Sequence, residues 1–129
     1  MNRRVLLIED HSQNRYLLTF LLERNGFQVE SAVDGPEGIA MARNSVPDLI
    51  LLDIQLPTMS GYEVASELRV IADLQGIPIV AVTSHAMVGD REKALAAGCA
   101  GYIEKPINPD TFISEIQEFL APSPAGDAL

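Results

Sequence analysis

Five times along this chain a short apolar run is followed by a stretch whose apolar residues recur at helical spacing, and that alternation constrains the fold more than any other feature. Val5 to Ile8 is the first run, and from about Ser12 to Asn25 the residues Tyr16, Leu17, Phe20 and Leu21, flanked by Leu18 and Leu22, read as a helix stopped by Gly26. Phe27 to Ala32 alternates as a strand nearer a sheet edge does. Asp34 and Glu37 have the spacing of a capping box and open a second helix carrying Ile39, Ala40 and Ala42. Leu49 to Leu52 is the third run. Ser60 and Glu63 then open a helix expected to continue through Val64, Leu68 and Ile71 to about Leu74.

Ile79 to Val82 is β-branched and ends in Thr83, as a fourth strand would. A helix from about Asp90 to Ala97 stops at Gly98, Ala100 to Ile103 reads as a fifth strand, and Asn108 and Pro109 read as cap and first residue of a helix through Phe112, Ile113, Ile116 and Leu120. Strict strand and helix alternation implies a parallel sheet with right-handed crossovers and helices on both faces. The expected fold is α/β, a doubly wound five-stranded parallel sheet with five helices.

At 129 residues the chain fits one compact domain able to bury roughly two-thirds of its unfolded surface. Residues 1–121 are expected to form it, with 122–129, rich in Pro, Ala and Ser, as a disordered tail. The 18 acidic residues exceed the 9 basic ones, which argues against binding nucleic acid phosphates or an anionic membrane and suits a divalent cation. Cys99 is the only cysteine, so no internal disulfide is possible, and it reads as a small buried apolar residue. The run behind Arg3 and Arg4 is too short for a signal core or a membrane span, so a cytoplasmic location is expected.

In doubly wound sheets the ligand site lies beyond the carboxyl ends of the strands. The residues there are Glu9, Asp10, Asp53, Thr83 and Lys105. Three carboxylates at one sheet edge repel strongly without a cation, so a magnesium site beside a reactive aspartate is the simplest reading. Asp53 fits the nucleophile of phosphoryl transfer through an aspartyl phosphate. Asp10, Asp53 and a backbone carbonyl at Gln55 fit the metal's protein ligands, with Glu9 acting through a coordinated water. Lys105 offers a compact charge for a phosphoryl or carboxylate oxygen and Thr83 one hydrogen bond to a phosphoryl oxygen. His11 reads as a loop residue.

The segments Leu7-Ile8-Glu9-Asp10, Pro47 to Asp53 with Leu56-Pro57 and Ser60-Gly61, Ala81-Val82-Thr83-Ser84, and Tyr102-Ile103-Glu104-Lys105-Pro106 together resemble the receiver domains of two-component response regulators. The resemblance spans residues 4 to about 120. It implies strand order 2-1-3-4-5, Asp53 as phosphoacceptor, Glu9 and Asp10 as the acidic pair for Mg2+, Lys105 as the active-site lysine, and Thr83 with Tyr102 as a switch pair. It also implies a cis peptide before Pro106. Gln55 and His85 would flank the path of the attacking water and tune dephosphorylation.

By the same resemblance, the phosphoryl donor would be a sensor histidine kinase or a histidine phosphotransfer protein, met by residues of the first helix such as Asn14, Arg15 and Leu18. The face of the fourth helix, fifth strand and fifth helix would carry the signal to an unknown downstream protein or to a homodimer. No turnover of an external substrate is expected, and the chain reads as a stand-alone receiver, with a receiver excised from a hybrid histidine kinase as the alternative. A hydrolase of the haloacid dehalogenase type would want an aspartate where Gln55 stands. A flavodoxin-like cofactor binder would want a Gly- and Ser-rich phosphate loop where Glu9, Asp10 and His11 stand.

Overall fold

The computed structural model describes residues 3–84 and 87–120; the expected tail and His85 lie outside the described residues. The strands are β1 (Arg4–Ile8), β2 (Gln28–Ala32), β3 (Leu49–Asp53), β4 (Ile79–Thr83) and β5 (Gly101–Glu104). Between and after them, among the described residues, come helices α1 (Ser12–Arg24), α2 (Gly35–Asn44), α3 (Gly61–Arg69), α4 (Asp90–Ala96) and α5 (Phe112–Gln117). All strands pair in parallel in the order β2-β1-β3-β4-β5. The doubly wound α/β fold expected from the alternation is therefore observed, in the strand order that the resemblance implied. No helix among the described residues is long and apolar enough to cross a membrane.

Side chains along each central strand alternate between two cores because successive residues point to opposite faces. Leu6, Ile8, Ile50, Leu52, Ile79 and Ala81 pack with Ala42 of α2, Val64 and Leu68 of α3 and Ala94 of α4. Val5, Leu7, Leu49, Leu51, Val80 and Val82 face Leu18 and Leu22 of α1 and Phe112 and Ile116 of α5. Such double coverage explains why β3 and β4 are apolar almost without interruption, and why β2, at the edge, is not. Cys99 is buried, and burial pushes its thiol up to about 11, so it behaves as an apolar residue.

Three elements depart from the sequence reading. On α1 the buried stripe is Leu18 and Leu22 alone, while Tyr16 is 75% exposed and Phe20 45%. Positions 16 and 18 lie about 200° apart around a helix, so the two stripes cannot both face the sheet. The outward rings stack at 6.4 Å, and the Arg24 guanidinium sits 5.5 Å over Phe20.

Helix α3 ends at Arg69, and a separate 3-10 turn spans Ala72–Leu74. The Arg69 guanidinium donates to the carbonyls of Leu74, Gln75, Ile77 and Gly98, and these bonds reward a tight turn more than further helix would. In α5 the regular helix begins at Phe112. Asn108 does cap, its Oδ1 accepting from the Asp110 amide at 3.0 Å, but what it caps is a turn that leads into the helix.

Gly61 sets the chain path just after Asp53. A Cβ there would stand 2.5 Å from Ile54 Cα and 2.6 Å from the Asp53 carbonyl oxygen, both backbone atoms with little room to give. Gly61→Ala is expected to cost about 1–3 kcal/mol, as overpacking in a tight interior does. Urea denaturation of both proteins measures it, and an unchanged midpoint would show that the loop yields.

Candidate functional site

Parallel register brings the acidic residues together. Ile8 pairs with Leu52, so one step beyond, Glu9 stands beside Asp53, roughly one inter-strand spacing of about 4.8 Å away. Asp53 in turn pairs with Val82, and Thr83 with Glu104, so Thr83 and Lys105 follow at the same edge. The pairing runs past the strand ends through Glu9 N to Ala32 O, Ile54 N to Val82 O and Lys105 N to Thr83 O. These bonds hold the loops that carry the site. The Lys105–Pro106 peptide is cis.

Glu9 and Asp53 are 1% and 4% exposed, burial that a carboxylate tolerates only with partners. Lys105 Nζ is 2.6 Å from Glu9 Oε1 and 3.7 Å from Asp53 Oδ2. The Gln55 amide donates to Asp53 Oδ1 at 3.0 Å, and the His11 amide to Glu9 Oε2 at 3.1 Å. Burial pushes the Asp53 carboxyl up to about 7; the Gln55 amide opposes this, and the neighbouring Glu9 charge and hydrogen bond add to it. Burial would raise Glu9 as well. Hydrogen bonds from Lys105, Asp53 and the His11 amide outweigh it and hold Glu9 below the ordinary value. In mildly acidic solution, without a cation, the pair thus keeps a proton, and it resides mainly on Asp53.

The ligand atoms of Glu9, Asp10, His11 and Asp53 all lie within 4.8 Å of one another. Asp10 Oδ1 is buried and makes no hydrogen bond among the described residues. An orphaned carboxylate oxygen facing two further carboxyls is what a divalent cation would satisfy, so the residues fit Mg2+. Arg15 Nη1 donates to the carbonyls of Glu9 and Asp10 at 3.0 and 2.8 Å and pins the loop that carries them. Sequence reasoning missed that role, and that of His11, whose Nδ1 lies 3.2 Å from Asp10 Oδ1 and 3.5 Å from Glu9 Oε2. The adjacency of His11 to Asp10 was the available signal.

The model of the response regulator receiver domain matches residues 5–117. The chain belongs to the response regulator receiver domains. This receiver is 42% identical over 120 residues to the polar-differentiation response regulator DivK of Brucella ovis, covering 93% of this chain and 98% of that one. It superposes on the chemotaxis protein CheY4 of Vibrio cholerae with a TM-score of 0.89 at 29% identity, over 93% of this chain and all of that one. The receiver domain of a sensor histidine kinase from Pseudomonas aeruginosa PAO1, determined with a magnesium ion coordinated in its active-site cleft, matches with a TM-score of 0.85 at 31% identity, over 92% and 98% of the two chains. The receiver is thus a two-component signalling protein and not a metabolic enzyme.

Thr83 and Tyr102 share one face of the receiver's sheet. Tyr102 pairs with Ala81, two residues before Thr83, so the two side chains are diagonal neighbours. Thr83 is buried, and the Tyr102 ring lies inward beneath the Arg91 guanidinium, 5.8 Å from its centroid. The Tyr102 hydroxyl finds no hydrogen-bond partner among the described residues. Close by, the Tyr62 hydroxyl donates to Asp90 Oδ1 at 3.0 Å and ties α3 to the start of α4. Burial and the Asp90 carboxylate push the Tyr62 phenol up to about 12, so it remains a donor.

Proposed function

We propose that the chain is a phosphoacceptor whose Asp53 takes a phosphoryl group from the phosphohistidine of a sensor kinase or phosphotransfer protein and switches a partner-binding surface. The observation that carries this reading is the Asp53 carboxyl, buried at the sheet edge beside Glu9 and under Lys105, next to the orphaned oxygen of Asp10. Asp10, Asp53 and the Gln55 carbonyl would hold Mg2+, with Glu9 acting through a coordinated water. When bound, the ion neutralises charge on the transferring oxygens. An Asp53 oxygen attacks phosphorus in line as the bond to the donor imidazole breaks. Lys105 leaves Glu9 for a phosphoryl oxygen, a short move because it already lies near Asp53.

The Thr83 hydroxyl donates to a second phosphoryl oxygen, and the Tyr102 ring settles in the space behind it. The readout face of α4, β5 and α5 exposes Glu104 and Glu118 with Arg91, beside a half-buried Glu115, and a partner protein or a second copy reads the change there. On the donor side, Leu18 is buried and so is not the exposed contact expected from sequence, while Arg15 is half-buried, its guanidinium bonded to the Glu9 and Asp10 carbonyls. The groove lined by Ser12, Arg15, Tyr16, Thr19, Phe20 and Glu23 takes that role.

Incubation with a small acyl phosphate, with and without Mg2+, tests the reading. A hydroxylamine-labile adduct that requires the cation is expected. Its absence would leave a binding module with a receiver's fold. A second measurement concerns lifetime: Gln55 is exposed two residues beyond the acceptor, and on this reading it orients the attacking water. Gln55→Ala is expected to slow loss of the phosphoryl group by up to about tenfold, the worth of one neutral hydrogen bond, without preventing phosphorylation. His85→Ala is its companion, and unchanged decay in both variants removes the tuning role.

A further inference from the structure

We infer that His11 is an imidazole ligand of the cation site, so that this receiver selects a borderline transition-metal ion such as Mn2+ or Co2+ over Mg2+ more strongly than its oxygen ligands alone would. The inference rests on the reading of Glu9, Asp10 and Asp53 as a cation site and deepens it. His11 occupies the N-cap of α1, where Ser, Thr, Asp or Asn would bond the free helix amides, yet its side chain makes no capping bond. The ring turns the other way. Its backbone amide is fastened to Glu9 Oε2, and Nδ1 approaches Asp10 Oδ1 to 3.2 Å and Glu9 Oε2 to 3.5 Å.

That approach does not satisfy Asp10. Its Oδ1 is buried and has no hydrogen bond among the described residues, although the ring nitrogen stands within ion-pair range. A single cation placed among these atoms would use both the orphaned oxygen and the Nδ1 lone pair, since all four ligand atoms fall within 4.8 Å of one another. The side chain is 68% exposed, and coordination through Nδ1 would leave the proton of the neutral ring on Nε2. Oxygen donors suit Mg2+, whereas imidazole adds affinity for Mn2+, Co2+ and Zn2+ and little for Mg2+.

Dissociation constants for Mg2+, Mn2+ and Co2+, measured by calorimetry on the wild type, His11→Asn and His85→Asn, test this. The loss of one imidazole ligand is expected to weaken Co2+ by at least about tenfold and Mn2+ less, while Mg2+ changes by less than about twofold. The Co2+ form should also show contact-shifted imidazole ring resonances in NMR spectra that vanish in His11→Asn and persist in His85→Asn. Equal effects on Mg2+ and Co2+, no effect on either, or loss of the signals with His85 in place of His11 would each overturn the inference while leaving the Mg2+ site standing. Failure of the wild type to bind any of the three ions would overturn the site itself.

Discussion

Asp53→Asn is expected to abolish the hydroxylamine-labile adduct formed with a small acyl phosphate and Mg2+, reducing it to background. The same substitution should stabilise the metal-free fold at and above neutral pH, which ordinary loss of a buried polar contact would not do. The sign follows from protonation. The Asp53 carboxyl has an ordinary value of 3.8 and is pushed up to about 7 in the folded protein, by burial first and then by Glu9. Between those values the unfolded chain has lost the proton and the folded chain keeps it, so stability falls as pH rises through the window and is level above it.

The shift corresponds to a few kcal/mol at most, and Asn removes it because it cannot titrate. Glu9 acts oppositely. Held below its ordinary 4.5, it contributes stability that is present above that value and lost as pH falls through its folded one. Metal-free wild type should therefore be most stable in mildly acidic solution, and Mg2+ should flatten the profile by displacing the shared proton. Urea midpoints at pH 5 and pH 8, with chelator and with Mg2+, measure this. A wild-type pH slope that survives in Asp53→Asn would show that another group causes it.

Lys105→Met is expected to destabilise the metal-free protein by about 3–5 kcal/mol at pH 8, the cost of stripping the partner from a buried ion pair. Glu9 is 1% exposed and Lys105 10%, and the 2.6 Å contact is the only ion pair between Glu9 and a lysine or arginine among the described residues. The loss should shrink on acidification, where Glu9 can protonate, and on adding Mg2+, which supplies another positive charge. Phosphorylated protein, if it forms, should fail to develop the changes on the α4, β5 and α5 face, since the charge that follows the phosphoryl group is missing. Lys105→Arg should not restore them, because a planar fork cannot take the place of a compact ammonium between Glu9 and Asp53. A stability change below about 1 kcal/mol would mean that Glu9 is satisfied without Lys105.

Much of the fold was legible because periodicity is a local property with a global consequence. A run such as Leu49 to Leu52 can be apolar on both sides only if both faces of its strand are covered, and only a sheet wrapped by helices does that. The helix caps were equally local. Ser60 and Glu63 form the complete capping box expected of them, while Asp34 caps Glu37 and the Glu37 carboxylate reaches one residue further back, to the Val33 amide. Where a long-range bond competed, local reading failed: Arg69 ended α3 early by holding carbonyls up to 29 residues away. On α1 two stripes of similar apolarity competed, and only the one carrying Leu18 and Leu22 is buried against the sheet.

By itself the sequence determined the alternation, the number of strands and the placement of Glu9, Asp10, Asp53, Thr83 and Lys105 at strand ends, because hydrophobic period and turn chemistry act within a few residues. Only the tertiary structure decided what those groups do to one another. Strand register set Glu9 beside Asp53, loop path put the His11 ring against Asp10 and Glu9, and burial moved the Asp53 carboxyl to about 7. Coulomb and desolvation energies depend on distances and dielectric surroundings between residues far apart in the chain, and those exist only once the sheet has closed over its core.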